Sequence, residues 1–453
     1  HRSARRRQSA ANKKEEKPKM KKLVSLALAL IMVLALGSTA LAYSPEKPIT
    51  IQFWHNRGSG ANLDATVQAV DDFNATIGKE KGIVVEQQFI GSYNDLYTKT
   101  QMASQSGEQP VVVSSGNTYI APLIDDGILC DMMPMAKKDG FDVSNILDCF
   151  MEIAGNTDGT LYSLPYIRST PLLYYNKTVA DELGLKVPTT MDELVEFAKA
   201  FVQKDADGTV TRWGFEMFND YGYYQASFLW QLGESMVAAD GTSPALEGTS
   251  MLKQLTDWQN WVKEGWCRPF DSTNASSIVK EMLYQGKIGC YLDSSGSMKN
   301  NIKFMTEGGY ELGVARFPTY DVDKRAVEVG GGQIALIGKG NTEEQIEAGW
   351  EFLKFLMTDE QVYLNSTRSG YLPVTKSVAT YEPMLKFWEE NPSYKIPFDQ
   401  MQEYGVCQEY PTFTDLEELI KNIQDVVSLL IQDGGITPEE AVQQIKDNTS
   451  HLF

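Results

Sequence analysis

Pro48-Ile-Thr-Ile-Gln-Phe-Trp54 alternates apolar and polar side chains with the two-residue period of a strand. The turn Gly58-Ser59-Gly60 follows, and Leu63, Val67, Val70 and Phe73 then fall on one stripe of a helix. Ile83 to Phe89 reads as a second strand, Tyr93 to Ser104 as a second helix, and Pro110 to Ser115 as a buried third strand. A short helix beyond it ends near Gly127. Strand and helix alternate, which argues for an α/β fold with a mainly parallel sheet covered on both faces. Ligands of such sheets sit at the carboxyl ends of the strands. Those ends are Trp54–Gly60, Gly91–Tyr93 and Ser114–Asn117.

A second unit begins near Thr170. Pro171-Leu-Leu-Tyr-Tyr175 is a strand closed by Asn176-Lys177, and Thr190-Met-Asp-Glu193 fits a capping box before a helix over Leu194 to Val202. Helices also fit 250–264, 278–285 and 343–357. Gly434-Gly435 breaks the chain, Thr437 and Glu440 complete a second capping box, and Pro438 suits the first turn of a last helix. At 453 residues the chain is too long for one ordinary core, so two units are expected. No floppy linker separates them, which suggests several crossings of the chain between the two.

The N-terminus carries an export signal. Met20-Lys21-Lys22 opens a basic stretch, Leu23 to Leu36 is apolar, and Ala40-Leu41-Ala42 offers a cleavage point before Tyr43. The apolar run is too short to span a bilayer, which takes roughly 20 residues. Residues 1–19 read as upstream sequence, and no cysteine follows the apolar run to carry a lipid. Removing residues 1–42 leaves 31 basic against 58 acidic side chains, a net charge of −27. Such a surface repels nucleic acid and anionic membranes.

Of the five cysteines, Cys130 and Cys149 are the pair an exported protein would join; scattered thiols are the plainer reading, and no CxxC suggests structural zinc. After processing only His55 and His451 remain, which leaves little for a histidine triad, a multi-histidine metal site or a relay. The G-x-S-x-G, G-x-x-x-x-G-K-[ST] and H-E-x-x-H patterns are missing, and no cofactor motif occurs. Asp205-Ala-Asp207-Gly208 resembles the start of a calcium loop without its closing ligands, and reads as a turn. A secreted carbohydrate-active hydrolase stays open as an alternative, because acidic residues are abundant.

Trp54, Tyr93, Tyr166, Tyr221, Tyr223, Tyr224 and Tyr371 fall mostly at predicted strand ends or loops. Aromatic faces there suit sugar or polyol C–H groups, although each ring alone also suits a core. Ser294-Ser295-Gly296-Ser297 adds hydroxyls and free N–H groups before a predicted helix.

Several of these segments, in order, resemble a family. Ile51-Gln-Phe-Trp-His55, Gly91-Ser-Tyr93, Ser169-Thr-Pro-Leu-Leu-Tyr-Tyr-Asn-Lys177, Ser294-Ser-Gly-Ser297, Gly330-Gly-Gly332, Gly370-Tyr-Leu-Pro-Val-Thr-Lys376 and Thr437-Pro438 are similar to marks of family 1 extracellular solute-binding proteins of ABC importers, nearest to its glycerol-phosphate-binding members. The resemblance spans nearly the whole mature chain. It implies a non-catalytic, monomeric, exported protein with two lobes, 43–168 with 332–378 and 169–331 with 379–453, joined by crossing strands. It further implies capture of a sugar, polyol phosphate or glycerophosphodiester in the cleft and delivery to a membrane permease. The ligand contacts it implies are Tyr93, Ser169, Ser294, Gly331 and Tyr371. Trp54 and Tyr221 join them as candidate aromatic walls.

Two departures bear on the ligand. Asn117 stands where the glycerol-phosphate relatives have a glutamate, and no arginine follows Arg368, whereas those relatives hold phosphate with a C-terminal arginine. An ungapped count from Thr437 puts Phe413 there. Arg168 and Arg57, both near predicted strand ends, are the cations left for a phosphate, so glycerol 3-phosphate itself is expected to bind weakly.

Overall fold

The computed structural model describes residues 43–151, 155–156, 159–216, 224, 226–237, 249–269, 275–403, 406–408, 415–432 and 435–452. The expected signal segment at 20–42, and Tyr221, Tyr223 and Phe413, lie outside the described residues. Two five-stranded sheets organise the molecule. The first contains β1 (Ile49–His55), β2 (Ile83–Phe89), β3 (Val112–Gly116), β4 (Leu164–Ser169) and β11 (Gly330–Leu336), in the order β2-β1-β3-β11-β4. The second contains β5 (Pro171–Asn176), β6 (Gln203–Lys204), β7 (Val210–Glu216), β8 (Ile288–Ser294) and β9 (Leu312–Arg316), in the order β6-β7-β8-β5-β9. A separate parallel pair joins β10 (Ala326–Glu328) to β12 (Val406–Gln408).

β1 forms because Ile51, Phe53 and His55 turn to the main core while the alternate side chains face the other side of the sheet. Phe53 and Phe73 both meet Phe352 edge-on, with centroids 5.5 and 5.1 Å apart, which clamps the first helix and Glu343–Leu356 onto that face. On the opposite face a smaller core gathers Leu96, Val113, Ile120 and Ala335. The expected capping boxes are both formed. Glu193 N–H donates to Thr190 Oγ1 at 3.2 Å, and Glu440 N–H donates to Thr437 Oγ1 at 3.2 Å.

The two-lobed α/β architecture agrees with expectation, but the sheets are mixed and not mainly parallel. β1 pairs with β2 and β3 in parallel, whereas β11 runs antiparallel to both β3 and β4. In the second sheet β5 is antiparallel to β8 and β9. The cause is the route of the chain. It leaves the first sheet through β4 and re-enters it through β11, and a returning strand runs against the one that left. The two crossings lie side by side, with Gly330 opposite Ser169 and Gly331 opposite Arg168.

Asp205 Oδ1 accepts from Asp207 N–H at 3.0 Å and from Thr209 N–H at 2.9 Å, the turn anticipated for that segment. Cys130, Cys267 and Cys290 are free thiols, so Cys130 and Cys149 are not joined. Among the described residues no helix is long and apolar enough to cross a membrane, and no group of His, Cys, Asp or Glu is arranged to hold a metal ion.

Candidate ligand-binding cleft

The strand ends of the first sheet and the crossings open onto a cavity of about 770 Å³. That volume suits a small-molecule ligand, whose pockets are usually about 300–1,000 Å³. Tyr93, Asn117, Ser169, Ser294, Gly331 and Tyr371 all line it. The structure therefore brings together six expected site residues from segments far apart in the chain.

Each is positioned by its own local structure. Tyr93 opens the helix Tyr93–Ser106, which Ser92 and Asp95 start with a capping box. Its hydroxyl sits where a side chain at Gly332 would begin, 2.8 Å from an added Cβ. Asn117 and Thr118 form a tight turn after β3. Gly331 has φ +102°, and an added Cβ would lie 2.0 Å from the Ile167 carbonyl oxygen. Only glycine lets β11 bend there against β4. Gly370, at φ +105°, ends the helix Asp359–Ser369 and turns Tyr371 toward the cleft. The Tyr371 ring packs on the Gly296 backbone, where a Cβ would stand 2.5 Å from it.

Ser294 N–H donates to Asp293 Oδ1 at 2.8 Å, and Gly296 N–H donates to Ser294 Oγ at 3.1 Å. Asp293 is buried and also accepts from the Tyr224 hydroxyl at 3.3 Å and the Tyr291 hydroxyl at 2.9 Å, with Lys280 Nζ at 3.1 Å. This network holds two cleft residues, Ser294 and Tyr224, from behind.

Sequence reasoning missed the acidic side of the cavity. Glu328, Glu417 and Glu418 line it, with Lys421 beside them. Glu328 stands two residues before the Gly330–Gly332 run, a position that could have flagged it. Glu417 and Glu418 open a helix whose destination depends on tertiary packing. Thr118 Oγ1 donates to Glu417 Oε1 at 2.6 Å across the cleft. On the other flank Asn62 Nδ2 donates to the Gly296 carbonyl at 3.3 Å. Burial and then Glu417 push the Tyr119 phenol well above its ordinary range.

Trp54 and Arg168 do not line the cavity. Trp54 points to the smaller core on the far face of β1. Arg168 is fully buried, donates from Nη2 to the Val329 carbonyl at 2.8 Å, and rests over Phe150 with 5.4 Å to the ring centroid. It ties the two crossings together. Arg57 lies nearer the cleft, beside Tyr371, with 5.1 Å from the guanidinium carbon to the ring centroid.

Two α/β lobes bridged by paired crossings, with a polar and aromatic cavity opening at the crossings, define a two-lobed binding protein of the periplasmic type. The fold is shared with UgpB from Mycobacterium tuberculosis in complex with glycerophosphocholine (TM-score 0.77, 19% identity, 89% of this chain and 98% of that one). It is also shared with the maltose/maltodextrin-binding domain MalE from Bdellovibrio bacteriovorus bound to maltotriose (TM-score 0.72, 20% identity, 89% and 99%). The chain belongs to the bacterial extracellular solute-binding protein family, whose profile matches residues 68–396. It is also similar to the sn-glycerol-3-phosphate-binding periplasmic protein UgpB of Rhizobium meliloti, 26% identical over 395 residues that cover 82% of this chain and 86% of the relative.

Proposed function

We propose that this protein captures a small polar solute in the cleft between its lobes and delivers it to the membrane permease of an ABC importer. The observation that carries the reading is the convergence of Tyr93, Asn117, Ser169, Ser294, Gly331 and Tyr371 on one cavity. Hydroxyls, an amide and ring faces suit a carbohydrate, a polyol phosphate or a glycerophosphodiester. The lobes, 43–168 with 332–378 and 169–331 with 379–453, move about the paired crossings. Ligand that touches both lobes favours the closed state, and only such differential contact drives closure. Thr118–Glu417, Asn62–Gly296 and Ala61–Asn300 are among the cross-lobe bonds that would open. The segment 20–42 directs export and is removed in the mature protein.

A thermal-shift panel of sugars, glycerol phosphates and glycerophosphodiesters tests the reading. Ligand at about 100 times its Kd stabilises the folded state by roughly 2.7 kcal/mol. Binding without turnover is expected. Hydrolysis of a glycoside in the same panel would replace capture with catalysis.

A further inference from the structure

Arg57 follows β1 and is only 4% exposed. Its Nη1 donates to Thr66 Oγ1 at 2.7 Å, while Nε and Nη2 are buried with no hydrogen-bond partner. No carboxylate among the described residues forms an ion pair with it. Tyr166 and Tyr371 lie against the guanidinium, with 4.9 and 5.1 Å from its carbon to the ring centroids. Ring faces offset part of the cost of a desolvated cation but satisfy neither N–H edge. Among the described residues this buried positive charge has no counter-ion.

Nε and Nη2 form one edge of the guanidinium, the fork that grips two oxygens of a carboxylate or phosphate. The charge is directed at cleft groups. Burial raises the Tyr93 and Tyr371 phenols, and Arg57 opposes that rise in both. Asn56, its neighbour in the chain, lines the cavity. Across the cavity stand Glu328, Glu417 and Glu418, which would repel a second negative charge on the same ligand.

We infer, resting on the solute-capture reading, that Arg57 is the counter-ion for a single oxyanion on the captured solute. The group is singly charged, as a phosphodiester or a carboxylate is, and the rest of the molecule is hydroxylated or cationic. The edge is covered in this conformation. Of the groups around it Tyr93 and Tyr371 face the cleft, and the anion takes the edge as these rings move aside.

The test is calorimetry on the mature chain with three probes: glycerophosphoglycerol, a uronic-acid disaccharide and neutral maltose. At least one anionic probe should bind the parent, weaken about 100-fold or more in Arg57→Met, and recover in part in Arg57→Lys. Melting of the variants without ligand checks that they fold. Maltose binding with neither anion bound overturns the inference and leaves solute capture standing. Equal binding of an anion by parent and Arg57→Met overturns it as well. Silence toward every probe removes both readings.

Discussion

Arg168 sits in the paired crossings and Arg57 in the turn after β1, and the surroundings of the two guanidinium groups differ. Around Arg168 the Val329 carbonyl accepts at 2.8 Å, and the Gln333 amide oxygen accepts from Nη1 at 3.0 Å in the orientation that satisfies both its ends. Around Arg57 Thr66 accepts at Nη1, the Tyr166 phenol feels the guanidinium through its charge and a hydrogen bond, and Nε and Nη2 stay unpaired beside the Tyr166 and Tyr371 faces. A buried charge held by a backbone and a side-chain acceptor ties structure together, whereas one left with an unpaired edge is a standing cost that a ligand can relieve. Arg168 therefore keeps the two crossings side by side as the lobes move about them, and the turn after β1 is set for recognition.

Breaking the first half of this contrast should give the largest effect. Arg168→Met strands the Val329 and Gln333 acceptors and should cost about 3–5 kcal/mol in urea unfolding. A loss below about 1 kcal/mol would mean that the crossings do not need the cation. Gly331→Ala, at the residue paired with Arg168, should cost about 2–3 kcal/mol, since it combines positive φ with a backbone collision.

The second half predicts the opposite sign. Arg57→Met removes an uncompensated charge and should leave the unliganded protein about 1 kcal/mol more stable. Equal destabilisation by the two arginine substitutions would erase the distinction. The smallest effect concerns His55, which fixes the Arg57 backbone. Arg57 N–H donates to His55 Nδ1 at 3.1 Å, so Nε2 carries the proton and donates to Gln87 at 2.5 Å. Burial holds this imidazole below its usual 6.5. Because the unfolded chain takes up the proton first, this contribution is complete above pH 6.5 and is lost as pH falls below it. The slope for one group cannot exceed about 1.4 kcal/mol per pH unit. His55→Gln should flatten the stability profile between pH 7.5 and 5.5, which urea melts at several pH values would record.

Much of the rigid frame was legible in the sequence, because its signals are local. β2 begins and ends at the predicted residues, and both capping boxes depend on side chains three residues apart. What escaped was set over long distances. Nothing in Gly330–Leu336 says that its neighbours run antiparallel, since that depends on where β4 has gone. Thr118 and Glu417 meet across 299 positions. Trp54 was misjudged by one step of a two-residue period: at the strand end both faces are near the ligand side, and its face turns to Leu96 and Val113. For Arg57 the residue was visible but its isolation was not, because a missing partner is a property of the packed interior.

Gly116, Gly330 and Gly331 make part of the cavity wall from main chain, and ring atoms of Tyr93 and Tyr119 rest directly on Gly116. A wall of that kind offers selection almost nothing to vary. Any added side chain there fills the space that a ligand or a ring already needs. Descendants adapting to a new nutrient would instead have to change Asn117, Tyr224 or Glu328, which line the cavity and carry side chains that can be exchanged. The tolerance of this pocket to substitution is thus lopsided: a side chain added to the main-chain wall collides, and the side-chain wall is where specificity can be rewritten.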